Sequence, residues 1–246
     1  GMFLWDSSPT LTNVTFNDNS AVNTGGGMYL YSFCNPILTD VTFSGNTAYD
    51  CGGMFLWDSS PTLTNVTFND NSAVNTGGGM YMSSSSATLT GVTFSGNTAD
   101  YGGGMYLYSF SNPTMTNSIL WGNSPQEIYF YESGDGSNSI TITYSDIQGG
   151  QDSIVTNDNG TVTWGSGNID VDPRFIDSEN SNYHLLASSQ LINAGDSTTF
   201  DSDGSRADMG AYPYLNSYSG PTWYINESGN DTTATGASDD PFRSVQ

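Results

Sequence analysis

The stretch Gly1–Tyr29, GMFLWDSSPTLTNVTFNDNSAVNTGGGMY, recurs without a change as Gly53–Tyr81. Self-similarity at a fixed period marks stacked repeat architectures, so this duplication decides the fold before any local preference is weighed. The true unit is half as long: Met2, Met28, Met54, Met80 and Met105 follow one another at intervals of 26, 26, 26 and 25 residues. Each copy runs Gly-Gly, Met-aromatic-Leu-aromatic, a Ser/Pro corner, Thr-Leu-Thr, Val-Thr-Phe, then a turn rich in Asn and Ser.

Within MFLWDS and MYLYSF apolar and aromatic residues alternate with period 2, and the Thr-Leu-Thr and Val-Thr-Phe segments have strand-favouring composition. No window carries an apolar stripe at helical spacing. A unit of 25 or 26 residues is too small to bury a core alone, whereas stacked copies bury one continuously. A coil with one turn per unit is a parallel β-helix, and parallel crossovers favour the right hand. The expected fold is therefore all-β, a right-handed parallel β-helix (β-solenoid) with rungs of 25–26 residues. Residues 1–126 are read as regular rungs, open at the N-terminal end. Residues 127–212 are irregular rungs and a closing segment, and residues 213–246 a linker with the entry strand of a following module or a donated tail.

The paired glycines with Phe-x-x-Asn (Phe16–Asn19, Phe43–Asn46, Phe68–Asn71, Phe94–Asn97) resemble the repeats of right-handed parallel β-helix proteins, including those of chlamydial polymorphic outer-membrane proteins. The fifth copy departs, with Leu120 in place of Phe before Asn123. Farther on, YSDIQGG (144–150), GNIDVDPRFID (167–177), YHLLASSQLINAGD (183–196) and DSDGSRADMGAY (201–212) are similar to the closing segment of secreted β-helix proteins of the choice-of-anchor Q kind. The resemblance spans nearly the whole chain and implies a surface or secreted location. It implies no particular activity, because the family is functionally mixed.

Charge excludes whole classes. Of 246 residues 25 are acidic and 3 basic, a net charge of −22 with His184 neutral. The three cations, Arg174, Arg206 and Arg243, all lie in the last third, so residues 1–173 hold nothing to meet a phosphate or an anionic lipid. Nucleic-acid binding and membrane-surface attraction are excluded on that ground. No run approaches the ~18 apolar residues of a membrane span. Gly, Pro and Ser make up roughly 30% of the chain, a composition that invites disorder, but 13% aromatics argue for an ordered protein with many turns.

In a stacked coil, equivalent residues form ladders at ~4.7–4.9 Å spacing. Alternation sends Met2, Met28, Met54, Met80 and Met105, with Leu4, Leu30, Leu56, Met82 and Leu107, to the inside. Two outer columns follow: Phe3, Tyr29, Phe55, Tyr81, Tyr106, and beside them Trp5, Tyr31, Trp57, Ser83, Tyr108. Nine exposed rings would make a flat apolar patch suited to stacking on sugar rings or to burial against another chain. Trp223 and Tyr224, in the tail, join them as candidate carbohydrate- or protein-interface residues. The asparagines of Phe-x-x-Asn should stack at an inner corner, their amides bonding to one another and to the turn backbone. The glycine pairs should serve positive φ or tight packing, since no Lys or helix start follows them to make a phosphate cradle. A Thr-x-Thr column (Thr10/Thr12, Thr62/Thr64, Thr88/Thr90, Thr114/Thr116), broken by Ile37/Thr39, resembles ice-binding solenoids, although outward threonines are also plain strand formers.

No catalytic constellation stands out. Elimination of uronates wants a Lys or Arg base, which residues 1–173 lack. Hydrolysis needs converging carboxylates, and Asp6 with Asp58 lie two repeats apart as a by-product of the duplication. His184 has no Ser or Cys motif around it. Asp201 and Asp203, in Asp-Ser-Asp-Gly, offer a possible calcium loop, without the downstream Glu of an EF-hand and with Arg206 near enough to neutralise the same acids. No other cofactor is expected. Cys34 and Cys51 occupy different columns and should not be bonded to each other.

The expected function is structural: an extracellular or cell-surface β-solenoid module of a bacterial surface protein, adhesin or filament. The alternative is carbohydrate binding by the aromatic ladder, with a polysaccharide lyase or hydrolase and an ice-binding protein behind it. The expected partner is the chain itself, associating head-to-tail as a fibre or as tandem modules. Gly1 aligns with the second glycine of a pair, so an N-terminal cap is expected upstream, and Thr222–Gln246 is expected to cover the next unit's edge.

Overall fold

The computed structural model describes residues 1–132, 136–215 and 228. Residues 1–215 form one compact unit and residues 216–246 a second. Trp223, Tyr224 and the rest of the tail 222–246 apart from Ser228 lie outside the described residues.

Three strands recur from rung to rung, each paired in parallel with its equivalent in the next; Thr47–Ala48 and Ser72–Ala73 add a short fourth parallel pair, and Phe175–Asp177 and Asn182–Leu185 pair antiparallel in the closing segment. Six strands make the aromatic face: Met2–Trp5, Met28–Tyr31, Met54–Trp57, Met80–Ser83, Met105–Tyr108 and Ile128–Phe130. Seven make the threonine face, from Thr10–Thr12 to Gly160–Trp164, and six the phenylalanine face, from Thr15–Asn17 to Asp146–Ile147. Register follows the repeat, with Met2 opposite Met28, Met28 opposite Met54 and Phe68 opposite Phe94. The methionines and leucines assigned to the interior from the second rung onward are buried, and they form one continuous core with Phe43, Phe68 and Phe94.

Three strands bounding a closed rung demand sharp corners, and the corners share one conformation. The residue after nearly every strand is left-handed: Asp6, Ser32, Asp58, Ser84 and Ser109 after the aromatic face; Asn13, Asp40, Asn65, Gly91 and Asn117 after the threonine face; Asp18, Gly45, Asp70, Gly96 and Gly122 after the phenylalanine face. That region costs most L-residues roughly 1–2 kcal/mol, and Gly, Asn and Asp visit it most readily. The Asn, Asp, Ser and Gly punctuation of each repeat is the chemical form of its corners.

Inside the corner after the phenylalanine face runs the asparagine ladder. The Nδ2 of Asn19, Asn46, Asn71 and Asn97 each donates to Oδ1 of the next asparagine at 2.7–2.9 Å. Each of Asn46, Asn71 and Asn97 gives its second amide hydrogen to the phenylalanine carbonyl of the preceding rung. Every Oδ1 also receives the backbone N–H of the asparagine before it. Buried amides are thus fully used, as burial requires. Alongside, Phe16, Phe43, Phe68 and Phe94 stack with centroids 4.6–4.8 Å apart and planes within 7° of parallel.

A second polar ladder lies after the aromatic face. The backbone N–H groups of Ser7, Cys34, Ser59, Ser85 and Ser111 donate in turn to Cys34 Sγ, Ser59 Oγ, Ser85 Oγ, Ser111 Oγ and Asn138 Oδ1. Cys34 therefore takes a serine's place, its thiol donating to the Tyr31 carbonyl. Cys34 and Cys51 are both buried and free.

The closing segment runs back along the outside of the phenylalanine face. Leu185, Leu191 and Met209 bury Ile119 in a second apolar cluster. Ala211 N–H donates to Thr93 Oγ1, and Asn69 Nδ2 donates to Ser181 Oγ. Asn117 Oδ1 receives Asp196 N–H, while its carbonyl receives Gly210 N–H. Outward residues of the covered rungs, Thr67, Asn69 and Thr93, are buried, whereas Thr15 and Asn17 two or more rungs earlier are exposed.

Candidate functional site: an aromatic groove on the solenoid face

Alternation along the aromatic face puts the rings outside, but it does not leave nine of them exposed. Phe55 and Tyr106 are buried, Tyr29, Tyr81 and Tyr108 half-buried, and Phe3, Trp5, Tyr31 and Trp57 exposed. The expectation of nine open rings is corrected by the rings themselves, because equivalent side chains one strand spacing apart are at stacking distance. Phe55, Tyr81, Tyr106 and Tyr129 lie on one another with centroids 4.4–5.6 Å apart and planes within 14°. Their faces are spent on each other, so this column offers ring edges and phenol hydroxyls to a ligand.

Packing differs in the first rungs. Phe3 meets Tyr29 at 64°, Tyr29 meets Phe55 at 80° and Trp5 meets Tyr31 at 87°. Edge-to-face packing leaves faces open, and the exposed platform is Phe3, Trp5, Tyr31 and Trp57.

The column of Thr24, Asp50, Thr76 and Tyr101, bridged between Thr24 and Asp50 and between Thr76 and Tyr101 and continued by the Cys51 N–H donating to the Thr76 carbonyl, precedes the aromatic strands and stands beside them as a polar shoulder. Between shoulder and rings lies a groove of about 380 Å³, lined by Thr24, Asp50, Asn75 and Thr76 on one side and by Phe55, Trp57, Tyr81, Tyr106 and Tyr108 on the other. A neighbouring hollow lined by Tyr101, Tyr129, Tyr131 and Glu132 shares Asn75, Thr76, Tyr106 and Tyr131 with it. Asp50 is the carboxylate of the groove lining. Its Oδ1 accepts from Asn75 Nδ2 and Thr76 Oγ1, both at 2.9 Å, which holds the group against the next rung. Burial, with Tyr108 and Asp50 adding, raises the Tyr81 phenol above its ordinary value, and burial does the same for Tyr106. Both hydroxyls stay protonated and able to donate.

Tyr129 and Tyr131 extend the aromatic columns unannounced by the methionine marker, which becomes Ile128 in that rung; the alternation of IYFY is the signal that finds them. Asp50 has none, since its column holds Thr, Thr and Tyr in the other rungs.

The other candidate residues are placed as follows. Asp6 and Asp58 occupy left-handed corners with Ser32 between them in the stack, which explains their residue type without chemistry. His184 is exposed, with Nδ1 3.0 Å from Asn182 Oδ1 and its ring stacked on Tyr212. Asp203 Oδ1 accepts Ser205 N–H and Asp201 Oδ2 accepts Asp208 N–H. Arg206 Nε donates to the Gly195 carbonyl, 2.7 Å away, and its guanidinium carbon lies 6.0 Å from the Tyr144 ring centroid. Among the described residues no group of three or more acids, histidines or cysteines is arranged to hold a metal. On the threonine face, Thr39, Thr64, Thr90 and Thr116 are half-buried, so the open column is Thr10, Ile37, Thr62, Thr88 and Thr114.

Residues 1–176 match the family model described as right handed beta helix region. No curated protein and no solved structure matches the chain significantly.

Proposed function

The chain belongs to the right-handed β-helix family, and from that premise we propose that it is an extracellular, non-catalytic solenoid module of a surface protein that holds a polysaccharide along its aromatic groove. The observation that carries this reading is the groove itself, open to solvent and lined along successive rungs by rings on one wall and hydrogen-bonding side chains on the other. Long, amphipathic, hydroxylated polymers have both surfaces that such walls complement. The lack of any Lys or Arg in residues 1–173 supports binding without elimination chemistry. The corner positions of Asp6 and Asp58 support binding without hydrolysis.

Affinity electrophoresis through gels carrying soluble polysaccharides tests the reading, with a reducing-end assay run in parallel. Retardation by at least one polysaccharide, about tenfold weaker for Trp57→Ala and without new reducing ends, is the expected result. Unretarded migration in every gel would remove the reading.

A further inference from the structure

The groove contains a carboxylate that the fold does not explain. Equivalent positions in the other rungs are Thr24, Thr76 and Tyr101, since Gly25, Cys51 and Gly77 N–H donate in turn to the carbonyls of Asp50, Thr76 and Tyr101, so an acid is not a requirement of the stack. Nor is Asp50 a corner residue, since the left-handed position at this turn is Cys51, in column with Gly25, Gly77 and Gly102. Both hydrogen bonds to its side chain fall on one oxygen, Oδ1, from Asn75 and Thr76 of the next rung. Among the described residues no hydrogen bond reaches Oδ2. A half-buried carboxylate oriented through one oxygen, with the other left over in a groove beside two protonated phenols, is an acceptor prepared for a donor that comes from outside.

We propose that Asp50 is the specificity-determining residue of the groove, its Oδ2 accepting a hydroxyl of an uncharged polysaccharide whose other hydroxyls meet the Tyr81 and Tyr106 edge. The inference rests on the polysaccharide reading and narrows it by charge. A uronate polymer would bring carboxylates against Asp50 and Glu132 in a face with no cation to pair them among the described residues, in a chain of net charge −22. A cationic polymer would be drawn by that charge and has the exposed face of Trp57 to meet, but cation–π attraction needs ring faces, and at the Tyr81–Tyr106 edge Phe55, Tyr81, Tyr106 and Tyr129 cover one another's. Ring edges carry positive potential, which suits hydroxyl oxygens and not ammonium groups. Neutral sugar hydroxyls, which both donate and accept, satisfy carboxylate and phenol together.

The test measures binding of the wild-type chain, Asp50→Asn, Asp50→Ala and Trp57→Ala to soluble galactomannan, xylan, β-glucan, polygalacturonate and chitosan, by calorimetry at 20 and 300 mM salt. The expected outcome is wild-type binding to at least one of the three neutral polymers, little changed by salt, with none to polygalacturonate. Asp50→Asn and Asp50→Ala should each lose about tenfold or more, the scale of a hydrogen bond to a charged group. Circular dichroism and an unchanged urea midpoint for Asp50→Asn separate lost binding from lost fold. Neutral binding that both Asp50 variants retain in full, while Trp57→Ala loses it, overturns this inference and leaves the polysaccharide reading intact. Preferential, salt-sensitive binding of chitosan or binding of polygalacturonate overturns it as well. No binding of any polymer by the wild type removes both.

Discussion

Raising the pH from 4.5 to 7.5 should destabilise this protein, because two carboxylates are folded into places that favour their protonated forms. Glu127 ends the asparagine ladder. The N–H and Nδ2 of Asn123 both donate to its carboxylate, since a ladder whose every member donates forward must finish on an acceptor. Burial pushes Glu127 from 4.5 up to about 7 despite those bonds. Asp146, one rung on and fully buried, accepts Val171 N–H on Oδ1, while Oδ2 has no hydrogen-bond partner among the described residues. Burial, with the charges of Asp170, Asp172 and Glu127 adding, takes it from 3.8 to about 7. The native state therefore keeps protons that the unfolded chain releases near pH 4, so unfolding free energy falls with rising pH. The stabilisation is complete below about pH 4 and is lost as pH climbs through about 7. At about 1.36 kcal/mol per pH unit, Glu127 accounts for about 3 kcal/mol and Asp146 for about 4 kcal/mol. Urea unfolding of wild type, Glu127→Gln and Asp146→Asn between pH 4 and 8 measures this directly. Glutamine can accept both Asn123 donors on one oxygen, as Asn46 Oδ1 accepts both from Asn19, so Glu127→Gln should flatten its share of the slope and gain stability at pH 7.5. The general repulsion of a −22 chain is common to all variants and cancels in the difference. Wild-type stability that stays level or rises from pH 4.5 to 7, or a double variant with the wild-type slope, would refute the reasoning.

Three substitutions probe the ladders. Asn71→Ala removes an amide that accepts twice and donates twice in full burial and should cost about 3–5 kcal/mol in urea unfolding, whereas Asn19→Ala, at a half-buried amide, should cost under about 1 kcal/mol. Cys34→Ser should change stability by no more than about 0.5 kcal/mol, because serine already plays that part in the next three rungs, while Cys34→Val, which strands Ser7 N–H and leaves the Tyr31 carbonyl with Asp6 N–H as its donor, should cost about 1–3 kcal/mol. Gly79→Ala would set a Cβ 2.7 Å from the Gly104 carbonyl oxygen and 2.8 Å from the Phe94 ring; with backbone on one side and a stacked ring on the other, the urea midpoint should fall by the equivalent of at least about 1–3 kcal/mol.

What could be read from sequence is what a rung decides for itself. Period-2 alternation sent Met28, Leu30, Met54 and Leu56 inward, and the recurrence of Phe-x-x-Asn located the asparagine stack, because both depend only on a residue's own rung and its copies. The left-handed corners were equally written in the Asn, Asp, Ser and Gly columns, though they show as corners only once strand ends are known. Glu127 as ladder terminus and Asp50 as groove acceptor were not legible. Each is a single departure from its column, and a departure has no period to announce it. Nor does alternation say whether an outward ring keeps its face, which depends on the plane its neighbour adopts.

The two identical copies show how far context overrides sequence. Phe3 and Phe55 sit in the same 29-residue string, yet one is 58% exposed and the other 5%; Trp5 and Trp57 stand at 65% and 40%. Asn17 is exposed and Asn69 buried, with Ser181 of the closing segment bonded to the latter. No residue within either copy distinguishes Asn17 from Asn69, so that difference is made by residues more than a hundred positions away that return over the outer face. A solenoid built from interchangeable units acquires its particular surfaces where that interchangeability ends, as it does under the returning segment. The aromatic face follows the same rule. Its platform rings are open in the first rungs, where planes cross, and its groove acceptor appears in the one shoulder position where Asp replaces Thr or Tyr. Function in such a chain is to be sought in the exceptions to the repeat, with the repeat supplying the spacing at which those exceptions are held.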